Sequence, residues 1–184
     1  LEPEPPASRI LPGYGLAMLQ AGDAGHSTAL ALHYGSWVHH MHKDQLALLL
    51  FGHDNALLCD VGYPEQTDVF NYRRYGVWAN TISHNTVTVD AHGQGRGRST
   101  LHAYELNGFA QVADASCASY ADVGLYRRAV MLVQATPEQA YVFDVFHVRG
   151  GAQHDWALMG PQADFSCDPP LGAVQEQGTL AGPE

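Results

Sequence analysis

Hydrophobic and polar residues alternate along this chain in short segments, and the pattern predicts strands. Thr86–Asp90 alternates with period two, which is the period of a strand that buries one face. The apolar segments are bounded by Gly, Asn, Asp and Pro, the residues that favour turns. We predict strands at Tyr14–Ala21, Thr28–Tyr34, Gln45–Phe51, Ala56–Asp60, Thr86–Asp90, His102–Leu106, Gly108–Asp114, Leu125–Gln134, Gln139–Val148 and Asp155–Gly160.

The segments between these strands are mostly short turns. Gly22–Gly25 and Gly52–Asn55 suit hairpin loops, and Thr136–Glu138 joins the clearest pair of strands in the second half. Gly35–Asp44 and Glu65–Thr81 are too irregular to be single strands, and long helical periodicity is largely missing. The pattern therefore predicts an all-β fold, an antiparallel β-sandwich, rather than a βαβ fold.

Length and composition restrict the class of protein. The 184 residues suffice for one domain with a sizeable core, and 46% hydrophobic with 15% charged residues is typical of a globular chain. No apolar run approaches the roughly 18–20 residues that cross a bilayer. A net charge of −10 disfavours a general nucleic-acid binder. We expect one domain over residues 1–184 as a piece of a longer protein, with a linker at 1–12 and a weakly ordered or truncated end at 165–184.

The few cations are clustered in pairs, and the three cysteines have no CxxC spacing. Surface placement is the simplest expectation for the basic pairs, which are Arg73–Arg74, Arg96 with Arg98, and Arg127–Arg128. Neither a disulfide framework nor a thiolate zinc site is indicated by the cysteines.

Histidines stand out, because the chain has eleven and they are unevenly spread. His39, His40 and His42 lie together and are followed by Asp44. In an extended segment, positions 40, 42 and 44 project from one face. Imidazole and carboxylate together suit zinc and other first-row divalent metals. The His-x-His pair alone is weak evidence, since such pairs also arise by chance.

Two further residues strengthen the prediction of a metal site. Asp60 ends an apolar strand, where a carboxylate is costly unless it binds a cation, forms an ion pair or accepts hydrogen bonds. The alternative to a metal ligand is that Asp60 caps the turn through Gly62. His84 begins the alternating segment that contains Thr86–Asp90. If the strands are neighbours, His42, Asp60 and His84 supply three ligands and leave one position open.

Three motifs, His40–Leu46, Leu57–Pro64 and Asn80–Asp90, resemble those of the heparinase II/III-like polysaccharide lyases, which include related alginate lyases. They occur in the family's order and at compatible separations. The resemblance implies an antiparallel, supersandwich-like β-sandwich that packs against an N-terminal α/α-toroid, with the substrate in the cleft between them. This chain lacks the long amphipathic helices of that toroid, so the helical domain is expected as a partner from the same protein.

The resemblance also implies roles for particular residues. His42, Asp60 and His84 match the family's metal ligands, usually zinc, with a structural role favoured, and His40 matches a histidine that faces the substrate. His39 and Asp44 are expected to support the site rather than to bind the metal. The other candidates are Tyr72 and Tyr75 for catalysis, and Arg73, Arg74 and Gln94 for holding sugar carboxylates or hydroxyls. Packing, cleft lining or surface placement is the alternative for each of these five.

The implied reaction is β-elimination on an acidic, uronate-containing polysaccharide. Such an enzyme neutralises the uronate carboxylate, accepts the C5 proton and protonates the leaving oxygen, and histidine and tyrosine can do this work. Because polymers are degraded outside the cytoplasm, a periplasmic or secreted location is expected.

Two other functions fit part of the sequence. His42-Lys-Asp44 with His84 also spells the two-His-one-carboxylate site of an Fe(II) oxygenase. That alternative leaves Asp60 unexplained, and Gln94 occupies the place where such enzymes usually have an arginine. The second alternative is a non-catalytic sandwich that binds carbohydrate or is merely structural.

Overall fold

Two antiparallel meanders form the two main sheets of the molecule. The computed structural model describes residues 7–23, 25–36, 42–63, 74–161, 164, 166–170 and 172–173. The first sheet has neighbouring strands in chain order: β1 (Arg9–Leu11), β2 (Leu16–Ala21), β3 (Thr28–His33), β4 (Ala47–Gly52) and β5 (Asn55–Leu58). After β6 (Val87–Val89), the second sheet contains β7 (Ser99–Leu106), β8 (Ala110–Cys117), β9 (Val123–Thr136) and β10 (Gln139–Gly150).

Short elements complete the described fold. β11 (His154–Trp156) pairs with β6 in a small antiparallel sheet. A π-helical turn at Arg74–Trp78 and a 3-10 turn at Thr81–Ser83 precede β6. Among the described helices, none is long and apolar enough to cross a membrane.

The side chains between the two main sheets form one core. Strand β2 alternates between partly and fully buried positions, as its hydrophobic pattern predicts. Leu19, Leu30 and Leu32 of the first sheet and Val130 and Leu132 of the second belong to the same buried cluster. This packing confirms the predicted all-β sandwich.

Most predicted strands lie where expected, with shifted ends. The turn between β4 and β5 has positive φ at both central residues, His53 and Asp54, as a type I′ hairpin requires. β9 is longer than predicted at both ends and β10 at its C-terminal end. β11 is shorter than predicted, because Ala157–Gly160 form no strand.

The stretch predicted as a linker, residues 1–12, contains a strand. Arg9–Leu11 pair with β2 as an edge strand, and Ser8 donates to the Gln111 carboxamide of the second sheet at 2.5 Å. The sandwich therefore begins within that stretch; residues 1–6 lie outside the described part. Most of the predicted weak end, 165–184, lies outside it as well.

Candidate metal centre

Four side chains from three separate segments converge at one end of the first sheet. His42, Asp44, Asp60 and His84 each offer a ligand atom, and these atoms all lie within 4.8 Å of one another. The three residues that the sequence predicts as ligands are therefore brought together, and Asp44 joins them.

Asp60 lies between the two imidazoles. Its Oδ2 is 3.0 Å from His84 Nδ1, and its Oδ1 is 3.5 Å from His42 Nδ1. The backbone N–H of Gly62 also donates to Oδ1 at 2.7 Å, so the turn cap proposed as an alternative exists beside the imidazole contacts. Burial opposes ionisation, but the hydrogen bonds from His42 and His84 outweigh it and hold the pKa of Asp60 well below its usual range.

The two imidazoles are packed against each other and are almost fully buried. Their ring centroids are 4.7 Å apart at 29°, and His84 is 1% exposed. The 3-10 turn sets the direction of His84, because the His84 N–H donates to the carbonyl of Thr81 at 3.1 Å. This turn thus fixes one of the candidate ligands before the strand β6 begins.

Asn85 connects the His84 segment to the ends of β4 and β5. Its amide donates to the carbonyls of Leu48 and Cys59 at 2.8 and 2.9 Å, and its oxygen accepts from Met159 at 2.5 Å. Because Asp60 directly follows Cys59, these bonds place the Asp60 carboxylate beside His84.

A buried polar network holds the segment of His42 and Asp44. The Gln94 carboxamide pairs with the backbone of Gln45, accepting from its N–H at 2.7 Å and donating to its carbonyl at 2.9 Å. Gln94 also donates to the hydroxyl of Tyr126 at 2.9 Å, and the Thr81 hydroxyl donates to the Lys43 carbonyl at 2.8 Å. The two histidine-bearing segments are therefore fixed to each other through buried side chains.

The residues present fit a divalent cation. Among the described atoms, His42 Nε2, His84 Nε2 and Asp44 Oδ1 are buried without a hydrogen-bond partner, which is unusual for buried polar groups. Two imidazoles with two carboxylates form a donor set that suits Zn²⁺. A cation among these four residues would also offset the charges of two carboxylates placed close together.

The other predicted site residues are found in three situations. His40, Tyr72 and Arg73 lie outside the described residues, as does His39. Tyr75 is half-exposed on the π-helical turn, and Arg74 is buried with its guanidinium carbon 5.5 Å from the Tyr75 ring centroid, contrary to the surface placement expected for it. Gln94 is 1% exposed, and its amide is used by the backbone of Gln45. Gln94 therefore stabilises the fold, and its buried side chain does not offer the sugar contact that was predicted for it.

His33 is a part of the site that sequence reasoning missed. Its Nδ1 donates to Asp44 Oδ2 at 3.1 Å, and its ring stacks on Tyr14 at 5.3 Å. Burial opposes protonation of His33, but the bond to Asp44 outweighs it and raises the pKa. A cavity of about 290 Å³ opens beside this pair, lined also by Tyr63, whose ring lies 4.8 Å from that of His42. Only the register of β3 against β4 reveals these neighbours.

Comparison with known families agrees with this geometry. A family model described as heparinase II/III-like, C-terminal, matches residues 3–173. The chain belongs to this family. A search of curated proteins finds no match.

Solved structures of lyases have the same fold as this heparinase II/III-like domain. A mutant of the heparan sulfate lyase HepC from Pedobacter heparinus is similar at 18% identity with a TM-score of 0.68, covering 79% of this chain and 22% of that one. A heparinase III is similar at 21% identity with a TM-score of 0.74, covering 88% of this chain and 25% of that one. The domain thus spans about a quarter or less of the length of these proteins.

Proposed function

We propose that this domain is the β-sandwich part of a polysaccharide lyase that cleaves a uronate-containing polysaccharide by β-elimination. The convergence of His42, Asp60 and His84 from three separate motifs carries the proposal, because a chance set of motifs would not meet in space. Membership of the heparinase II/III-like family supports the same function. On this proposal the protein works in the periplasm or outside the cell, where its polymer substrate is found.

The reaction needs three groups around one uronate. A base removes the C5 proton, the C4–C5 double bond forms as the bond from C4 to the leaving oxygen breaks, and that oxygen receives a proton. We assign His40 to the uronate, as base or as donor to its carboxylate, and Tyr72 or Tyr75 to the proton of the leaving oxygen. Arg73 is the proposed partner for sugar carboxylates, because Arg74 is buried. The helical domain expected in the same protein would supply the opposite wall of the cleft.

The proposed Zn²⁺ has a structural task. When bound by His42, Asp60 and His84, it would hold the ends of β5 and of the segment before β6 together and neutralise the Asp60 carboxylate. His42 is separated from His40 by one residue, so fixing His42 also limits the positions that His40 can adopt.

The formation of unsaturated ends tests the activity. The purified domain and the longer protein that contains it are incubated separately with heparan sulfate, alginate and other uronate polymers, and ultraviolet absorbance of the unsaturated uronate is followed. We expect product from the longer protein. Absence of product from both, with every polymer, would contradict the lyase function.

A matched pair of tyrosine variants tests the residue assignment. Tyr75→Phe removes the hydroxyl of a half-exposed tyrosine whose ring lies beside Arg74, while Tyr141→Phe removes that of a similarly exposed tyrosine on β10. If Tyr75 protonates the leaving oxygen, only the first change lowers kcat, by about 100-fold or more. Equal activity of the two variants would leave Tyr72 as the candidate.

A non-catalytic carbohydrate-binding or structural sandwich is the second candidate function. The observation that favours it is the convergence of His42, Asp60 and His84, which suits a cation with a purely structural task. Product from the longer protein but none from the isolated domain would show that the sandwich needs a second domain. Retention of the isolated domain on an immobilised uronate polymer would then show that it binds sugar by itself.

A further inference from the structure

The two oxygens of the Asp44 carboxylate have different surroundings. One of its oxygens, Oδ2, accepts a hydrogen bond from His33 at 3.1 Å. The other, Oδ1, is buried and has no partner among the described atoms. Yet Asp44 offers an oxygen within 4.8 Å of the ligand atoms of His42, Asp60 and His84. A buried carboxylate oxygen that faces no donor is costly unless a cation is bound there.

We propose that Asp44 is the fourth protein ligand of the metal, and that His33 is the positioning residue that orients it. This inference rests on the metal site of the proposed function, and it gives that site four protein ligands instead of three. Three protein ligands would leave a position for water, whereas four ligands close a tetrahedral site, which is the arrangement of structural zinc.

The fold explains why His33 can do this. In the β3–β4 pairing, His33 lies opposite Ala47, and its carbonyl accepts from the Leu46 N–H at 2.7 Å. Asp44 lies three residues before Ala47, whose N–H donates to the Asp44 carbonyl at 2.9 Å. This turn brings the Asp44 side chain back onto the end of β3. Hydrogen bonding of the outer oxygen is the usual support of a ligating carboxylate.

Zinc affinity of single variants tests the ligand set. We expect Asp44→Asn and Asp60→Asn each to weaken Zn²⁺ binding by more than about 100-fold, and His33→Gln to weaken it by about 10- to 100-fold, measured by competition with a chromophoric chelator. Asp54→Asn is the matched control, because Asp54 is an exposed turn residue and the change removes the same charge. Circular dichroism of each variant checks that it is folded.

Cobalt substitution of the unchanged protein tests whether the site is closed, and it does not depend on how any variant folds. We expect the visible spectrum of the Co²⁺ protein to be unaffected by azide, because no position is open to it. In Asp44→Ala the vacated position would admit azide, and the spectrum would shift on its addition.

Three contrary results have distinct meanings. An azide-sensitive spectrum of the unchanged protein, together with unaltered zinc affinity of Asp44→Asn, would overturn the fourth-ligand role and leave the three-ligand site intact. Loss of affinity in Asp44→Asn but not in Asp60→Asn would overturn the four-ligand set in favour of the oxygenase-type ligands His42, Asp44 and His84. A folded, unchanged protein that binds no divalent metal would overturn both this inference and the metal site, while the lyase assay would still judge the activity independently.

Discussion

The side chain of Asn85 joins three stretches of backbone beside the candidate metal centre. It donates to the carbonyls of Leu48 and Cys59 and accepts from Met159. Asn85→Asp keeps the shape but removes both donors, which leaves two carbonyls without a partner and buries a charge. We expect the free energy of unfolding in urea to fall by about 2–4 kcal/mol.

Asn107→Asp is the control for this change. Asn107 is exposed, and its side-chain oxygen accepts from the Phe109 N–H at 3.4 Å, a bond that aspartate can also accept. Its stability should change by less than about 0.5 kcal/mol. Equal effects of the two variants would mean that the Asn85 bonds do not hold the site.

The reactivity of the cysteines follows from their burial. Burial raises the pKa of Cys117 to about 11, and its sulfur contacts the Ser119 hydroxyl at 2.9 Å. Cys167 is exposed. Because the thiolate is the reactive form, a disulfide reagent at pH 8 should label Cys167 rapidly and Cys117 only after unfolding. Mass spectrometry of the labelled peptides locates the label, and Cys167→Ser should remove the fast phase that it causes. Rapid labelling of Cys117 in the folded protein would contradict this burial.

At the scale of single residues, spacing and residue type predicted which side chains meet. Asp60 and His84 were recognisable because each stands at an end of an apolar or alternating segment, and His42 because it belongs to a cluster of histidines. The partner of Asp44 could not be predicted, because His33 belongs to a different strand and only the β3–β4 register brings the two together. The burial of Gln94 was likewise hidden, since nothing near it in sequence shows that its amide bonds to the backbone of Gln45.

Two neighbouring arginines on β9 differ in exposure, because successive side chains of a strand point to opposite faces of the sheet. Arg127 faces outward and pairs with Asp114, with Nε 2.8 Å from Oδ1. Arg128 is 0% exposed, pairs with Asp144 and donates to the carbonyls of Leu46 and Asn85 at 2.7 and 2.5 Å. The surface placement expected for both is therefore wrong for Arg128. Its guanidinium joins the two segments that carry the metal-centre histidines.

Matched substitutions measure the difference between these two ion pairs. Arg128→Met would leave Asp144 without its partner and two backbone carbonyls without donors, so we expect a loss of about 3–5 kcal/mol in the free energy of unfolding. Arg127→Met breaks an ion pair at the surface and should lower the free energy of unfolding far less than Arg128→Met does. Chemical denaturation of both variants gives the comparison. Similar losses would show that Arg128 does not clamp these segments.

At the scale of elements, the strands that turn residues bound on both sides were predicted best. The predicted β2–β3, β4–β5 and β9–β10 hairpins are confirmed. They were predictable because their turns are short and rich in residues that favour turns. β1 was missed because three residues in a proline-rich stretch carry no periodicity, and it gains its partners only when β2 is present. The assembly of the meanders into a sandwich followed from alternation, since one buried face of each sheet requires a second sheet.

Burial keeps three groups of the molecule protonated: Cys117 and Tyr126 belong to the core cluster, and Tyr120 packs against it. Burial raises the pKa of Cys117 from 9.0 to about 11 and raises the pKa values of Tyr120 and Tyr126 above the ordinary 10.0. Tyr126 is held there by donating to the Val87 carbonyl at 2.5 Å. At alkaline pH the folded state therefore retains protons that the unfolded chain has lost.

The sign of the resulting pH dependence follows from linkage. Stability falls with rising pH wherever the unfolded state binds fewer protons than the folded state. The contribution of these three groups to the free energy of unfolding is complete below about pH 9. It is lost as the pH rises through the raised pKa values that the groups have in the folded state, and for Cys117 alone the loss is about 2 kcal/mol by pH 11.

Urea denaturation from pH 8 to 11 should show this fall in stability. In Tyr126→Phe, which has lower stability throughout because its hydrogen bonds are lost, the slope against pH should be shallower. Tyr141→Phe, which changes an exposed residue of β10, should keep the slope of the unchanged protein. A flat profile up to pH 11 would mean that these groups titrate alike in the folded and unfolded states and that the space between the sheets admits water.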